Sequence, residues 1–332
     1  MTKLYTHDPD YSLRANRKNI ETAKQTPQDI VYSHPKESNR PERITVEQIG
    51  GSENFIYLYD NKRPFRLKGN ESGFVSIPFI ITVKTDNPGE SNDDQFTIST
   101  EGGGYDYNVD WGDGSTDTNV TGDITHTYSS PGTYTIEISG TFPRIYHSPF
   151  SPTDSADSEK LLTVEQWGSI SWESMQWSFT GCTNLTISAT DSPDLSNVAN
   201  MNRMFFYATS FDQPLNDWDV SNVTLMQSMF RDATSFNRPL DNWDVSNVTS
   251  MANMFDFTAL SSENYARTLI GWANTIFDDG GNAIGITLGA SGVTYSTDTY
   301  SDIDGEFDNA VDARDYLINT LGWTIQDSGE AS

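Results

Sequence analysis

Hydrolytic and transfer chemistry needs nucleophiles, bases or metal ligands, and this chain supplies few of them. It has four histidines, His7, His34, His126 and His147, scattered along its length, and one cysteine, Cys182. No HExxH, CxxC or GxSxG string occurs. Carboxylates abound instead: 47 Asp and Glu, so that some pairs fall at glycosidase-like separations by chance and spacing alone supports no such claim. One acidic group does have a spacing worth chemistry. Asp110, Asp113, Asp117 and Asp123 could place oxygens around a hard cation such as Ca²⁺. The plainer reading, which is favoured, is that Asp110 and Asp113 fix the hairpin through Asx-type bonds and Asp117 and Asp123 are solvated. Asp302-Ile303-Asp304-Gly305-Glu306 is a second, weaker string, short of the full spacing of an EF-hand loop. Cys182 reads as a core residue and His126 as a structural strand residue.

A second set of residues points to binding. Trp218 and Trp243 lie 25 residues apart, followed at once by Asp219 and Asp244; Arg231, Arg238, Asp217 and Asp241 recur at or near equivalent positions. Exposed, such a tryptophan ladder could stack on sugar rings or grip a protein. Buried, it is the packing spine of a repeat. The sequence leaves both readings open.

What positions these residues follows from a fixed period. Ser196-Asn197-Val198 recurs at 221–223 and 246–248, Met204-Phe205 at 229–230 and 254–255, and Ala208-Thr209-Ser210-Phe211 at 233–236. Trp218-Asp219-Val220 recurs at 243–245. The interval is 25 throughout, which means stacked coils that bury their apolar faces only against their neighbours. Trp167 and Phe179 extend the pattern backwards with one inserted residue, Pro193 taking the intervening tryptophan position, which gives roughly four coils. Each coil is expected to carry a short strand around Asp-Val-Ser-Asn-Val and a short helix over Met-x-x-Met-Phe.

Ahead of the array, short apolar runs alternate with turn signals: strands are predicted over 78–85, 95–99, 105–111, 124–128 and 132–139. Trp111 should enter the core at a strand end, Gly112-Asp113-Gly114 should form a tight hairpin turn, and Tyr128 and Tyr134 should pack inside. Further ahead, residues 1–45 are polar and broken by prolines at 9, 27, 35 and 41, with one short helix expected near 14–24. Phe55–Tyr59 and Phe65–Leu67 flank a turn and predict a hairpin. Four segments result: an attachment arm (1–75), a β-sandwich (76–146), a repeat solenoid (147–262) and a C-terminal cap (263–332). The fold class is mainly β with short helices.

Two strings resemble known families. Val109-Asp110-Trp111-Gly112-Asp113-Gly114-Ser115, His126-Thr127-Tyr128 and Pro131-Gly132-Thr133-Tyr134-Thr135-Ile136 together resemble the polycystic kidney disease (PKD) domain, an immunoglobulin-like sandwich common in extracellular proteins. Trp-Asp-Val-Ser-Asn-Val-Thr followed by a Met-rich segment ending in Met-Phe resembles the BspA-like leucine-rich-repeat surface proteins, the DUF285 repeats. By that resemblance Asn264–Ala273 is a terminal helix, and Ile286–Ser291 with Ala313–Ile318 and Gly322–Ile325 a closing cap. Residues 1–75 resemble neither family.

Charge narrows the partners. The net charge is −27, but residues 1–70 hold 12 Lys/Arg against 9 Asp/Glu, and residues 71–332 hold 8 against 38. The acidic body excludes nucleic acid, and no stretch has the roughly 20 apolar residues of a membrane span. The first residues have no apolar core of a secretory signal, so a chain starting natively at Met1 is expected not to leave by the ordinary route. The lone cysteine allows no internal disulfide and leaves the compartment open. The reading is a non-enzymatic recognition or display protein without cofactors, Ca²⁺ excepted, its ligand a host-cell surface glycan or protein. It is attached through residues 1–75 to a phage virion as a head decoration or tail fibre. The alternatives are a bacterial cell-surface adhesin whose export signal is not in this sequence, and an accessory binding module of a secreted hydrolase. A homo-oligomer is compatible with each.

Overall fold

The computed structural model describes residues 55–60, 63–68, 76–147, 157–278 and 283–331. The arm expected over residues 1–45, with its helix near 14–24, lies outside the described residues. The chain divides into two units, Met1–Ile77 and Pro78–Ser332. In the first, β1 (Phe55–Asp60) and β2 (Arg63–Lys68) pair antiparallel, Phe55 opposite Lys68 and Asp60 opposite Arg63, which is the hairpin read from the sequence.

The second unit opens with a six-stranded sheet. Its strands are β3 (Phe79–Lys84), β5 (Asp106–Asp110), β6 (Thr116–Val120), β8 (Thr133–Thr141), β9 (Leu161–Gln166) and β10 (Thr186–Ile187), in the order β10-β9-β3-β8-β5-β6. Period-two burial explains the central strands: Phe79, Ile81 and Val83 point inward along β3, and Tyr107 and Val109 along β5. A two-stranded sheet of β4 (Gln95–Ile98) and β7 (Ile124–Thr127) adds Phe96 and Ile98 to the same core. Trp111 is fully buried at the end of β5, stacked 4.7 Å from the His126 ring. The turn after it needs Gly112: φ is +77°, and a Cβ there would stand 2.2 Å from the Thr135 carbonyl oxygen. Tyr128 stacks on Tyr134 at 3.7 Å and donates its hydroxyl to the Trp111 carbonyl.

The sheet does not stop at residue 146, where the sequence divides sandwich from repeats. β9 pairs antiparallel with β3 and parallel with β10, so the first repeat segment is a strand of the sandwich's own sheet. A buried ion pair fixes the same junction. Lys160 Nζ donates to the carbonyls of Ser91, Asn92 and Gln95 at 2.8–3.0 Å. Asp157 accepts from the backbone N–H of Ser91 and Thr97. The two charges are 3.7 Å apart and almost wholly enclosed.

Beyond β10 the chain stacks on itself. Met201, Arg203, Phe205 and Tyr207 each donate the backbone N–H to the residue 24 further on, at 2.8–3.0 Å, and Met226, Ser228, Phe230 and Asp232 do the same to the following turn. The N–H groups between them turn back locally: Met204 to Met201, Phe206 to Arg203, Ala208 to Phe205. The expected short helix over Met-x-x-Met-Phe is therefore absent from the described residues. Its place is taken by overlapping turns, because Arg203, Tyr207, Ser228, Asp232, Asn253 and Phe257 all have φ between +55° and +62°, which no right-handed helix accommodates. The expected strand shrinks to single bridges, Asn200 to Leu225 and Leu225 to Ser250. Inside, Phe179, Phe205, Phe230 and Phe255 stack face to face at 5.5–6.0 Å, one ring per turn.

Helix α1 (Ser262–Asp278) closes the stack. Ser261 caps it, its Oγ accepting from Asn264 N–H. The helix lies so close to the last turn that a Cβ on Gly271 would meet the Asp241 carbonyl oxygen at 2.1 Å. β11 (Thr287–Gly289) then supplies the next rung, accepting Phe255 N–H at the Gly289 carbonyl, and pairs parallel with β12 (Thr324–Gln326). Between them runs the short helix α2 (Ala310–Asp315).

Two substitutions test these junctions. Lys160→Met leaves Asp157 buried without its counter-charge and should cost about 3–5 kcal/mol in a urea titration. Gly271→Ala should cost about 1–3 kcal/mol by forcing α1 off the Asp241 backbone, while the sandwich's near-ultraviolet signal stays in place.

Candidate recognition surface

The four carboxylates considered for a cation are each occupied separately. Asp110 accepts the Gly112 N–H at 3.0 Å. Asp113 accepts the Ser115 N–H and the His126 Nε2 at 2.9 Å each. Asp117 accepts the indole N–H of Trp111 at 2.8 Å, and Asp123 accepts the N–H and hydroxyl of Thr100 at 2.7 Å. The Ser115 hydroxyl, then His126, hold the Asp113 carboxyl down to about 2. The chain therefore does not bring the four together. No group of three or more His, Cys, Asp or Glu able to hold a metal exists among the described residues. The turn-fixing alternative describes Asp110 and Asp113. Asp302, in the second acidic string, is held by Arg267 across 2.7 Å.

Cys182 and His147 do meet, with Sγ 3.9 Å from Nε2, while His147 Nδ1 donates to the Ser178 carbonyl at 2.7 Å. This is the wrong electrostatics for a nucleophile. Burial pushes the thiol well up and the imidazole down to about 4, so both stay neutral where a thiolate–imidazolium pair would need the reverse shifts.

The tryptophan ladder is internal, which corrects the binding reading of Trp218 and Trp243. Trp243 is fully buried and Trp218 is 7% exposed. The Trp243 indole donates to the Leu215 carbonyl at 2.8 Å, and Trp272 from α1 repeats that bond to Leu240 at 2.9 Å. Trp218 packs edge-on against Trp167 at 5.3 Å. The polar partners are also committed to the fold. Asp194, Asp219 and Asp244 each accept the N–H two residues on, a turn repeated once per coil. Asp241 accepts from Asn216, Asp217 is exposed, and Arg238 grips Asp212 of the preceding turn with two bonds of 3.0 Å.

Arg231 is placed differently, and it leads to residues that the sequence reading passed over. Its guanidinium lies 6.0 Å from the Phe257 ring, and its Nε, 3.3 Å from Asp232, is buried without a hydrogen bond. Arg203 lies over Trp177 at 4.6 Å. Phe206 bridges Trp177 and Tyr207, with ring centroids 6.3 and 5.1 Å apart. Tyr207 bonds through its N–H to the Arg231 carbonyl. Tyr207 is 38% exposed and Phe257 53%. These residues form a ridge along the Met-Phe turns, with Trp177, Arg203, Phe206 and Arg231 half-buried and Tyr207 and Phe257 exposed. Their phase was available in the sequence, two residues after each Met-Phe, but those are the positions where the 25-residue rows disagree: Tyr207, Asp232, Phe257.

Residues 163–273 match the family model described as Mycoplasma protein of unknown function, DUF285. Residues 80–141 match the PKD domain. The order, PKD before DUF285, is the one the sequence strings imply, and the two together fit a surface protein with repeats. Neither is an enzymatic domain family. No curated protein and no solved structure matches the chain. Among the described residues no helix is long and apolar enough to cross a membrane.

The buried histidine sets a pH dependence. Its folded pKa of about 4 lies below the ordinary value of 6.5, so the unfolded chain takes up the proton first. The His147 contribution to stability should be constant above pH 6.5 and fall by on the order of 3 kcal/mol as pH drops towards 4. His147→Gln should flatten that segment of a melting-temperature profile measured from pH 7.5 to 4.

Proposed function

We propose that this chain is a non-enzymatic recognition and display protein. One observation carries the reading: the tryptophans, Asp219, Asp241, Asp244 and Arg238 of the repeat are spent on the fold, whereas an aromatic and cationic ridge ends in two large exposed rings, Tyr207 and Phe257. In this reading the repeat region is a leucine-rich-repeat-like solenoid of about four coils. The PKD-like sandwich carries it and residues 1–75 attach it. The attachment site we favour is a phage virion, as a head decoration or tail fibre. What supports it is the charge contrast between a basic head, 12 against 9 over residues 1–70, and a body with 8 against 38. A basic segment docks on an acidic assembly while the acidic body stays clear of it. The PKD match equally supports a bacterial cell-surface adhesin.

Immunogold electron microscopy separates the two contexts. The virion reading expects regular labelling of heads or tails, lost when residues 1–75 are deleted from the gene. Labelling confined to cell walls would refute it in favour of the adhesin.

A further inference from the structure

The ridge carries a cost that the fold does not require. Trp177, Arg203, Tyr207 and Phe257 are held at φ +58° to +63°, where a bulky L-residue loses roughly 1–2 kcal/mol. Glycine would relieve it, and the fold accepts glycine there: Gly181, the counterpart of Tyr207 one turn earlier, has φ +69° and makes the same kind of bond to the next turn, from its N–H to the Phe206 carbonyl. The side chains of Tyr207 and Phe257 add little burial in return, since both are exposed. Strain kept at exposed aromatic positions points to a ligand rather than to packing.

Charge indicates which ligand. Residues 71–332 hold only 8 Lys/Arg among 38 Asp/Glu, yet two of the eight sit on this ridge. No carboxylate among the described residues is paired with Arg203, whose guanidinium lies over the Trp177 ring at 4.6 Å. Arg231 lies 6.0 Å from the Phe257 ring centre, and Asp232 takes part of its charge. A guanidinium fork matches a carboxylate with two parallel bonds, and the flanking rings offer flat apolar faces. The ridge consists of six residues, against the roughly 20–30 a side of a stable protein interface. It also runs along the stack at about 4.8 Å per turn, which suits a thin linear ligand.

We propose that Trp177, Arg203, Phe206, Tyr207, Arg231 and Phe257 form a binding site for a carboxylate-bearing saccharide, of the uronic- or sialic-acid class. The aromatic rings stack on the sugar faces, and Arg203 receives the carboxylate. This rests on the display reading for its biological setting but not for its chemistry.

The test uses the full chain on immobilised uronate and sialate oligosaccharides, with their methyl esters as neutral counterparts of equal shape. Binding should weaken at least tenfold on esterification and fall with salt. Arg203→Gln should lower acid-form binding to the ester level. Tyr207→Gly and Phe257→Gly should weaken binding at least fivefold while raising the melting temperature, an opposition that a merely structural role would not produce. Equal binding to acid and ester, binding unchanged in all three variants, or a variant-sensitive affinity for protein ligands alone would each overturn the proposal. The two readings fail separately. Labelled particles with no saccharide binding would leave display standing without this site. Saccharide binding by a chain found on neither virions nor cell walls would keep the site and remove the display context.

Discussion

The repeat turns, residues 175–257, depend on one backbone device: N–H groups that alternately bond forward to the next turn and back to the residue three before. Four forward bonds per turn, at 201, 203, 205 and 207 and again at 226, 228, 230 and 232, hold successive turns at a fixed spacing. That spacing in turn lets one phenylalanine per turn stack on the next. The left-handed residues are the means. They reverse the chain every fourth residue, so that the forward-bonding groups face the same neighbour. The forward hydrogen bond offsets the cost of the left-handed turn, since an unpaired amide there would cost about 1–3 kcal/mol, but not the added cost of a side chain, which Gly181 avoids at the same kind of position.

The same spacing decides what the polar repeat residues do. Asparagine, threonine and aspartate at a fixed phase find a neighbour 24–26 residues away. Thr224 bonds to Ala199 and Thr249 to Thr224, Asn242 N–H to Asn216, and Asn237 N–H to Asp212. A regular side chain in such an array is therefore consumed by its own copy. Tyr207 and Phe257, at a phase that varies from turn to turn, stay exposed, whereas the regular Trp218 and Trp243 are buried. Regularity is the signature of the scaffold, and departures from it mark the surface.

This explains what was legible beforehand. β3, β4, β5, β7 and β8 could be read because alternating burial writes a period of two into the residues. β6, Thr-Asp-Thr-Asn-Val, could not: it lies at the sheet's edge with mostly exposed side chains, and Asn119 takes φ +57° where the register with β5 shifts. Its strand character comes from β5 beside it, not from its own pattern. The 25-residue period was plain, but the conformation inside it was not. Met-x-x-Met-Phe spaces apolar residues as a helix does, and no propensity signals arginine, tyrosine or phenylalanine in the left-handed region. The neighbouring turn imposes that conformation. β9 was hidden for a related reason, since Leu161–Gln166 acquires its role only by pairing with β3, some 80 residues earlier.

That pairing also changes what the sandwich is for. A stack of turns exposes unpaired amides and an apolar face at each end, and must be capped. At the far end α1 and β11 do so. At the near end the cover is the sandwich itself: Phe79 of β3 lies between Trp167 and Trp172, at 5.7 and 5.1 Å, and β9 continues the sheet into β10. Lys160 and Asp157, enclosed at the same junction, would each be a costly buried charge if the parts separated only partly. The sandwich and the first turns therefore share one core and cannot swing as a bead on a tether. The outer residues of those first turns, Trp177 among them, are therefore held in a fixed direction relative to the sandwich sheet.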